Sequence, residues 1–183
     1  MNTIIELPPS KRAFLTYELG ILTCKAALST RDDVYPVYAR DANRVQRAAA
    51  QDAIRAVLPI IENRYSKGAA IKSDDLHVEF IQEIADQLSG DHGDALHNGR
   101  FRIGIAQKLI NLHLKYLWAA ALIPEPPHCP LDGIVRDIAN LDYDWTSNNS
   151  IEDYKCAIDT LKNIATPRTL AVWELEEFRR RAQ

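Results

Sequence analysis

The residues with the clearest capacity for chemistry lie in the apolar segment 100–122. Its polar side chains fall within an arc of roughly 100° when successive residues are turned by about 100° on a helical wheel. They are Arg100, Gln107, Lys108, Asn111, Lys115 and Trp118, and together we call them the polar stripe. Guanidinium and ammonium groups supply positive charge, and amides supply oriented hydrogen bonds, so the stripe suits an anion. The alternative is a solvated edge along which long basic side chains reach water from a mostly buried helix.

A second set of basic residues lies just before and within the second candidate helix, at about 42–66. Arg40, Arg44 and Arg47 recur at intervals of three and four residues, and Gln51 and Arg55 continue the series. Arginine is the usual residue for phosphate because its planar fork reaches two oxygens at once. We therefore count Arg40, Arg44 and Arg47 among the candidate anion-binding residues. A solvated helix face, neutralised by neighbouring acids, is the alternative interpretation.

Two loops could carry catalytic chemistry. The loop 91–97 contains Asp91, His92, Asp94 and His97, which are ligand types for zinc or another divalent metal, although their spacing matches no metal motif. A tight loop between helices uses the same residues. The proline-rich segment 124–132 contains adjacent His128 and Cys129, followed by Asp132, which could supply a base, a nucleophile and an orienting group. Adjacent residues on extended chain point apart, so a rigid connector is the alternative.

Composition excludes several classes of protein. The chain has 183 residues, 46% of them hydrophobic, so it can bury a core and is expected to form one domain, 1–183. A net charge of −3 argues against a protein that coats DNA. Three cysteines without a CxxC pair suit a reducing compartment, and no apolar run is long enough to span a membrane. We therefore expect a cytoplasmic protein with no membrane partner.

The elements that must position these residues are helices. Apolar residues recur at helical spacing in seven segments, and Gly is scarce, with 7 in the chain. Ser10, Ser73 or Asp74, and Ser150 are expected to cap helices. Pro59 is expected to kink or interrupt the second helix. Segments 73–94 and 95–124 carry charges of opposite sign, which predicts an antiparallel pair with complementary surfaces.

The sequence therefore predicts an all-α, single-domain bundle of about six or seven helices around a central helix at approximately 100–122. His113 faces the apolar side of that helix and is expected in the core. No Walker A loop, Rossmann fingerprint, HExxH or GxSxG motif is present.

Three functional hypotheses follow from these residues. The first is a non-catalytic protein that holds a nucleic acid, a nucleotide or an acidic protein on the polar stripe, without a cofactor. The second is a hydrolase or nuclease that uses a metal at His92 and His97, or the His128–Cys129 pair. The third is an interaction or self-association module that uses the terminal helix with Trp173 and Phe178.

Overall fold

A computed structural model describes residues 4–31, 33–66 and 73–178. These residues form an all-helical bundle, as the sequence predicts. The helices, in chain order, are α1 (Pro9–Ala27), α2 (Arg44–Tyr65), α3 (Asp74–His92), α4 (Ile103–Ala119), α5 (Gly133–Ala139), α6 (Ile151–Ala165) and α7 (Leu170–Glu177). Two short 3-10 turns, Gly93–Ala95 and His97–Gly99, connect α3 to the segment before α4.

The central helix α4 organises the bundle. Nearly all of its residues are buried, and α1, α2, α3 and α6 all pack on it. A helix that is apolar around most of its circumference has to be surrounded by other helices, so this position follows from the sequence. One continuous core contains buried residues from all seven helices. Within the described ranges, no helix is both long and apolar enough to cross a membrane.

Local capping explains where several helices begin. The side chain of Ser150 accepts the backbone N–H of Asp153 at 3.0 Å, as predicted, and Ser73 caps α3. Asn43 caps α2 in a capping box with Gln46. The prediction that Ser10 caps α1 is wrong: the helix begins at Pro9, because a proline at the first helical position loses no hydrogen bond. The helix α2 continues through Pro59 without interruption.

Helices α3 and α4 form the expected antiparallel pair. His77, early in α3, bonds to Asn111 late in α4, while Ser89 accepts the backbone N–H of Phe101 just before α4. The expected charge complementarity is limited: among the described residues, one ion pair, Arg100–Asp86 at 3.0 Å, joins the two segments. The lysines of α4 find their acidic partners in later parts of the chain.

Candidate functional site

Most of the polar stripe lies inside the protein. Gln107 and Asn111 have no exposed surface, Lys108 is 8% exposed and Trp118 is 6% exposed. The expectation of a wet edge or an open groove along these four residues is therefore wrong. The amides and lysines of the stripe have partners in segment 128–178, whereas Arg100 is partly exposed and pairs with α3. Nε1 of Trp118 is buried and makes no hydrogen bond with any described residue.

Gln107 holds the segment that follows His128 and Cys129. Its Nε2 donates to the carbonyl of Leu131 at 2.7 Å, and the backbone N–H of Leu131 donates to its Oε1 at 3.1 Å. This two-bond clamp satisfies a backbone donor and acceptor that would otherwise be buried without partners. The side-chain amide of Gln107, which is predicted from the sequence to bind a ligand, thus binds another part of the same chain.

Gly104 also allows a later segment of the chain to pack on α4. A Cβ atom at this position would lie 1.9 Å from the carbonyl oxygen of Trp145, and the backbone N–H of Gly104 donates to the carbonyl of Asn148 at 3.0 Å. The backbone that approaches α4 here belongs to the loop before α6. Only glycine permits that approach, since any side chain would collide with a backbone atom.

The lysines of the stripe are also occupied. Lys108 Nζ lies 3.8 Å from the centroid of the Trp145 ring and 3.9 Å from Asp132. Burial lowers the pKa of Lys108, and the carboxylate of Asp132 opposes that shift. Lys115 Nζ lies 2.7 Å from Glu174, which is 2% exposed. These contacts attach α7 and the loop before α6 to the central helix.

The arginine series does not form one accessible line. Arg40 lies in the loop before α2 and donates to the carbonyl of Asp33 at 3.0 Å. Arg47 donates to the carbonyls of Ala39 and Ala42, so its guanidinium caps that loop. Arg44 is exposed. The three side chains therefore have different surroundings, and that of Arg44 forms no hydrogen bond or ion pair with another residue that the structure describes.

A hydrogen-bond network joins two of the buried histidines, His77 and His128. Asn111 accepts from His77 at 2.8 Å and donates to the hydroxyl of Tyr154 at 3.0 Å. Tyr154 bonds to Nδ1 of His128 at 2.9 Å, and Nε2 of His128 bonds to Asp74 at 3.2 Å. The bond from His128 holds the pKa of Asp74 well below its usual range.

The order Asp74, His128, Tyr154 resembles a catalytic relay in its geometry. Burial raises the pKa of Tyr154 well above its usual value, and the polar side-chain atoms of Asp74, His128, Tyr154 and Asn111 bond to other described residues. Asp74 is about half exposed, whereas the other three side chains are buried. These bonds join α3, α4, α6 and the segment before α5.

The proposed His128–Cys129 pair is not brought together for nucleophilic chemistry. His128 points to Tyr154 and Asp74, while Cys129 is buried and burial raises its pKa. A thiolate is the reactive form, so this environment suppresses attack. In the loop 91–97, Asp94 accepts from Gln46 at 2.8 Å. Among the described residues, no group of three or more histidines, cysteines and acids is arranged to hold a metal ion.

A large cavity lies between α1 and α2. Its volume is about 830 Å³, and we call it the α1–α2 groove. Its apolar wall includes Tyr17, Ile21 and Leu58, and His113 of α4 lies at its floor. Ligand sites in proteins typically have volumes of about 300–1,000 Å³ and are lined mainly by apolar side chains with a few polar groups.

The structure of α1 explains why the groove is open. The buried residues of this helix are the small Gly20, Thr23 and Ala27. Thr23 contacts His113 of α4, and a Cβ at Gly20 would lie 2.8 Å from the side chain of Leu58 in α2. Several large apolar side chains of α1 are exposed. Phe14 and Tyr17 are 67% and 66% exposed. Phe14, Tyr17 and Ile21 recur at helical spacing, so the sequence contains a signal for an apolar face on α1. The sequence of α1 alone does not show that this face is exposed.

Charge in the groove favours an anion. Of its charged lining residues, Lys25 and Arg55 are basic and exposed, and Glu62 is acidic. Arg12 lies 2.6 Å from Glu62 and neutralises it. Arg55 pairs with Asp52, but both side chains are mostly exposed, so that ion pair is weak. The positive field of Arg55 reaches the groove wall, where it partly offsets the burial that raises the pKa of Cys24.

Comparison with known proteins gives no relative. No family model matches the chain, and neither a curated protein nor a solved structure matches it.

Proposed function

We propose that this protein is a non-catalytic binding protein that holds a small amphipathic anion in the α1–α2 groove. The observation that carries the proposal is an 830 Å³ groove with an apolar wall and two exposed basic residues, Lys25 and Arg55. An apolar ligand body would cover Tyr17, Ile21 and Leu58, while its anionic group would meet the two cations.

The proposed partner is an anion, as in the first hypothesis from the sequence, but it binds in the α1–α2 groove instead of on the polar stripe. A nucleic acid, nucleotide or acidic protein on the polar stripe has little support, because Gln107, Lys108 and Asn111 are buried and the amides and lysines of the stripe bind other parts of the chain. A reducing, cytoplasmic setting remains part of the proposal, since Cys24, Cys129 and Cys156 are free thiols.

Titration calorimetry with cinnamate and its uncharged analogue cinnamide tests the role of charge. The double variant Lys25→Gln/Arg55→Gln should bind cinnamate about tenfold more weakly than wild type, since two exposed ion pairs contribute modestly. Its affinity for cinnamide should not change. Arg136→Gln, which removes a cation outside the groove, is the matched control. Equal losses for both probes would contradict recognition of the anion.

A second pair of variants tests the place of binding. Ala13→Trp adds an indole over the groove from an exposed position on α1, whereas Ala49→Trp makes the same change on α2 outside the lining. Only Ala13→Trp should abolish binding of cinnamate. Equal binding by wild type and Ala13→Trp, or no binding of either probe by wild type, would overturn the proposed function.

A second candidate is self-association through the exposed face of α1. Phe14, Tyr17, Ile21 and Leu22 are each about half or more exposed, and grouped apolar residues of this kind mark interaction surfaces. The terminal helix is a poorer interface than the sequence suggested, because Trp173 is buried. Light scattering of wild type and Phe14→Ser/Tyr17→Ser tests this candidate. A wild-type monomer at all concentrations would reject it.

A further inference from the structure

His113 presents an unused hydrogen-bond acceptor at the floor of the α1–α2 groove. It is 1% exposed, and its Nδ1 lies 3.3 Å from the hydroxyl of Thr23. That hydroxyl donates its one proton to the carbonyl of Leu19 at 2.8 Å, so it can only accept from the ring. This geometry assigns the ring proton to Nδ1 and the lone pair to Nε2.

The lone pair on Nε2 has no hydrogen bond with any residue that the structure describes. Burial lowers the pKa of His113 to about 4, so the ring stays neutral near neutral pH and Nε2 remains an acceptor. Water can reach a groove atom while the groove is empty. A ligand that fills the groove displaces that water and must replace its hydrogen bond or leave a buried acceptor unpaired.

We infer that the ligand of the groove carries a hydroxyl or N–H donor in its apolar body, and that this donor binds Nε2 of His113. The inference rests on the proposed function, because it assigns a second recognition point in the same groove. Lys25 and Arg55 would select the anionic end, and His113 would select against analogues that lack the donor. A site built around a buried polar group rejects such analogues more strongly than an apolar pocket rejects a missing methylene.

The ortho, meta and para isomers of hydroxycinnamate, each compared with cinnamate, test this inference. Wild type should bind at least one isomer about tenfold more tightly than cinnamate, because the hydroxyl satisfies a buried acceptor. His113→Phe keeps an aromatic ring and removes the acceptor, so it should bind that isomer and cinnamate equally. His97→Phe, outside the groove, should keep the wild-type preference.

Nitrogen NMR reports the protonation of each histidine ring nitrogen in the wild-type protein, so this test requires no folded variant. His113 should show a protonated Nδ1 and an unprotonated Nε2, and the Nε2 resonance should move when the preferred isomer is added. A proton on Nε2 in the free protein would overturn the inference.

The two proposals fail in different ways. Equal affinity of wild type for cinnamate and all three isomers would reject the donor at His113 and leave the anion site intact. Absence of binding by every probe would reject the groove as a ligand site, and the further inference with it.

Discussion

At the scale of single residues, polar chemistry in this protein is used mainly to bind the chain to itself. Gln107 and Asn111 have the side chains expected of a ligand site, yet their partners are Leu131, His77 and Tyr154. From the sequence, these amides are expected to bind an anion, whereas in the structure their hydrogen bonds are made within the chain. The sequence could not identify the partners, because they lie 24 to 43 residues away along the chain.

The clamp made by Gln107 should be an important stabilising contact. Gln107→Ala leaves the buried N–H and carbonyl of Leu131 without partners, so the free energy of unfolding should fall by about 2–4 kcal/mol. Urea denaturation measures the change. Gln87→Ala, at an exposed position of α3, should have an effect within about 0.5 kcal/mol. A loss for Gln107→Ala no larger than that of the control would contradict the clamp.

The cysteines should differ in reactivity according to their exposure. Cys156 is exposed on α6, whereas Cys129 is buried with its pKa raised by burial. Iodoacetamide at neutral pH should modify Cys156 at least about tenfold faster than Cys129, because the thiolate is the nucleophile. Mass spectrometry of peptides after timed alkylation gives both rates in one sample. Preferential modification of Cys129 would revive the thiol hypothesis for segment 124–132.

At the scale of elements, periodicity locates the helices well and their contact faces less well. The antiparallel α3–α4 pair and the burial of His113 follow from the sequence pattern. For α1, Leu22 stands at a helical spacing that predicts the core, yet it is 52% exposed. Leu19 does pack against the core, while the buried Thr23 contacts His113 of α4 and Gly20 faces Leu58 of α2. Hydrophobic spacing does not reveal which of the apolar residues of α1 stay exposed beside the α1–α2 groove.

Two glycines in helices should respond oppositely to alanine. A Cβ at Gly104 would collide with the backbone of Trp145, so Gly104→Ala should destabilise the protein by about 3 kcal/mol. A Cβ at Gly90 meets nothing within 4 Å, so Gly90→Ala should stabilise it by about 0.5–1 kcal/mol. Thermal and urea unfolding of both variants measures the difference. Equal effects of the two substitutions would contradict the close approach of the loop at Gly104.

At the scale of the whole molecule, the core contains titratable groups that stay uncharged. Burial lowers the pKa of His77 to about 3 and that of His113 to about 4. Burial also lowers the pKa of His128, although its bond to Asp74 opposes the shift. These three histidines surround or belong to α4, so protonating them would place charge inside the bundle rather than on its surface.

The protein should therefore lose stability on mild acidification, before its carboxylates titrate. Below the ordinary histidine pKa of 6.5, the unfolded chain binds protons that folded His77 and His113 refuse. The linkage costs about 1.4 kcal/mol per pH unit for each such histidine, or about 2 kcal/mol each at about pH 5. The lowered pKa of Asp74 acts in a separate window, because its contribution is lost only as pH falls below 3.8.

Urea denaturation between about pH 7.5 and about pH 5 should show the free energy of unfolding fall by about 4 kcal/mol or more. His113→Phe should reduce the slope by about one proton, since it removes one group that titrates only in the unfolded chain. The variant is thus less dependent on pH whatever its stability at neutral pH. A free energy of unfolding that stays level across this range would mean that the buried histidines already accept protons in the folded state. Nε2 of His113 would then serve as a donor and not as the acceptor assigned to it.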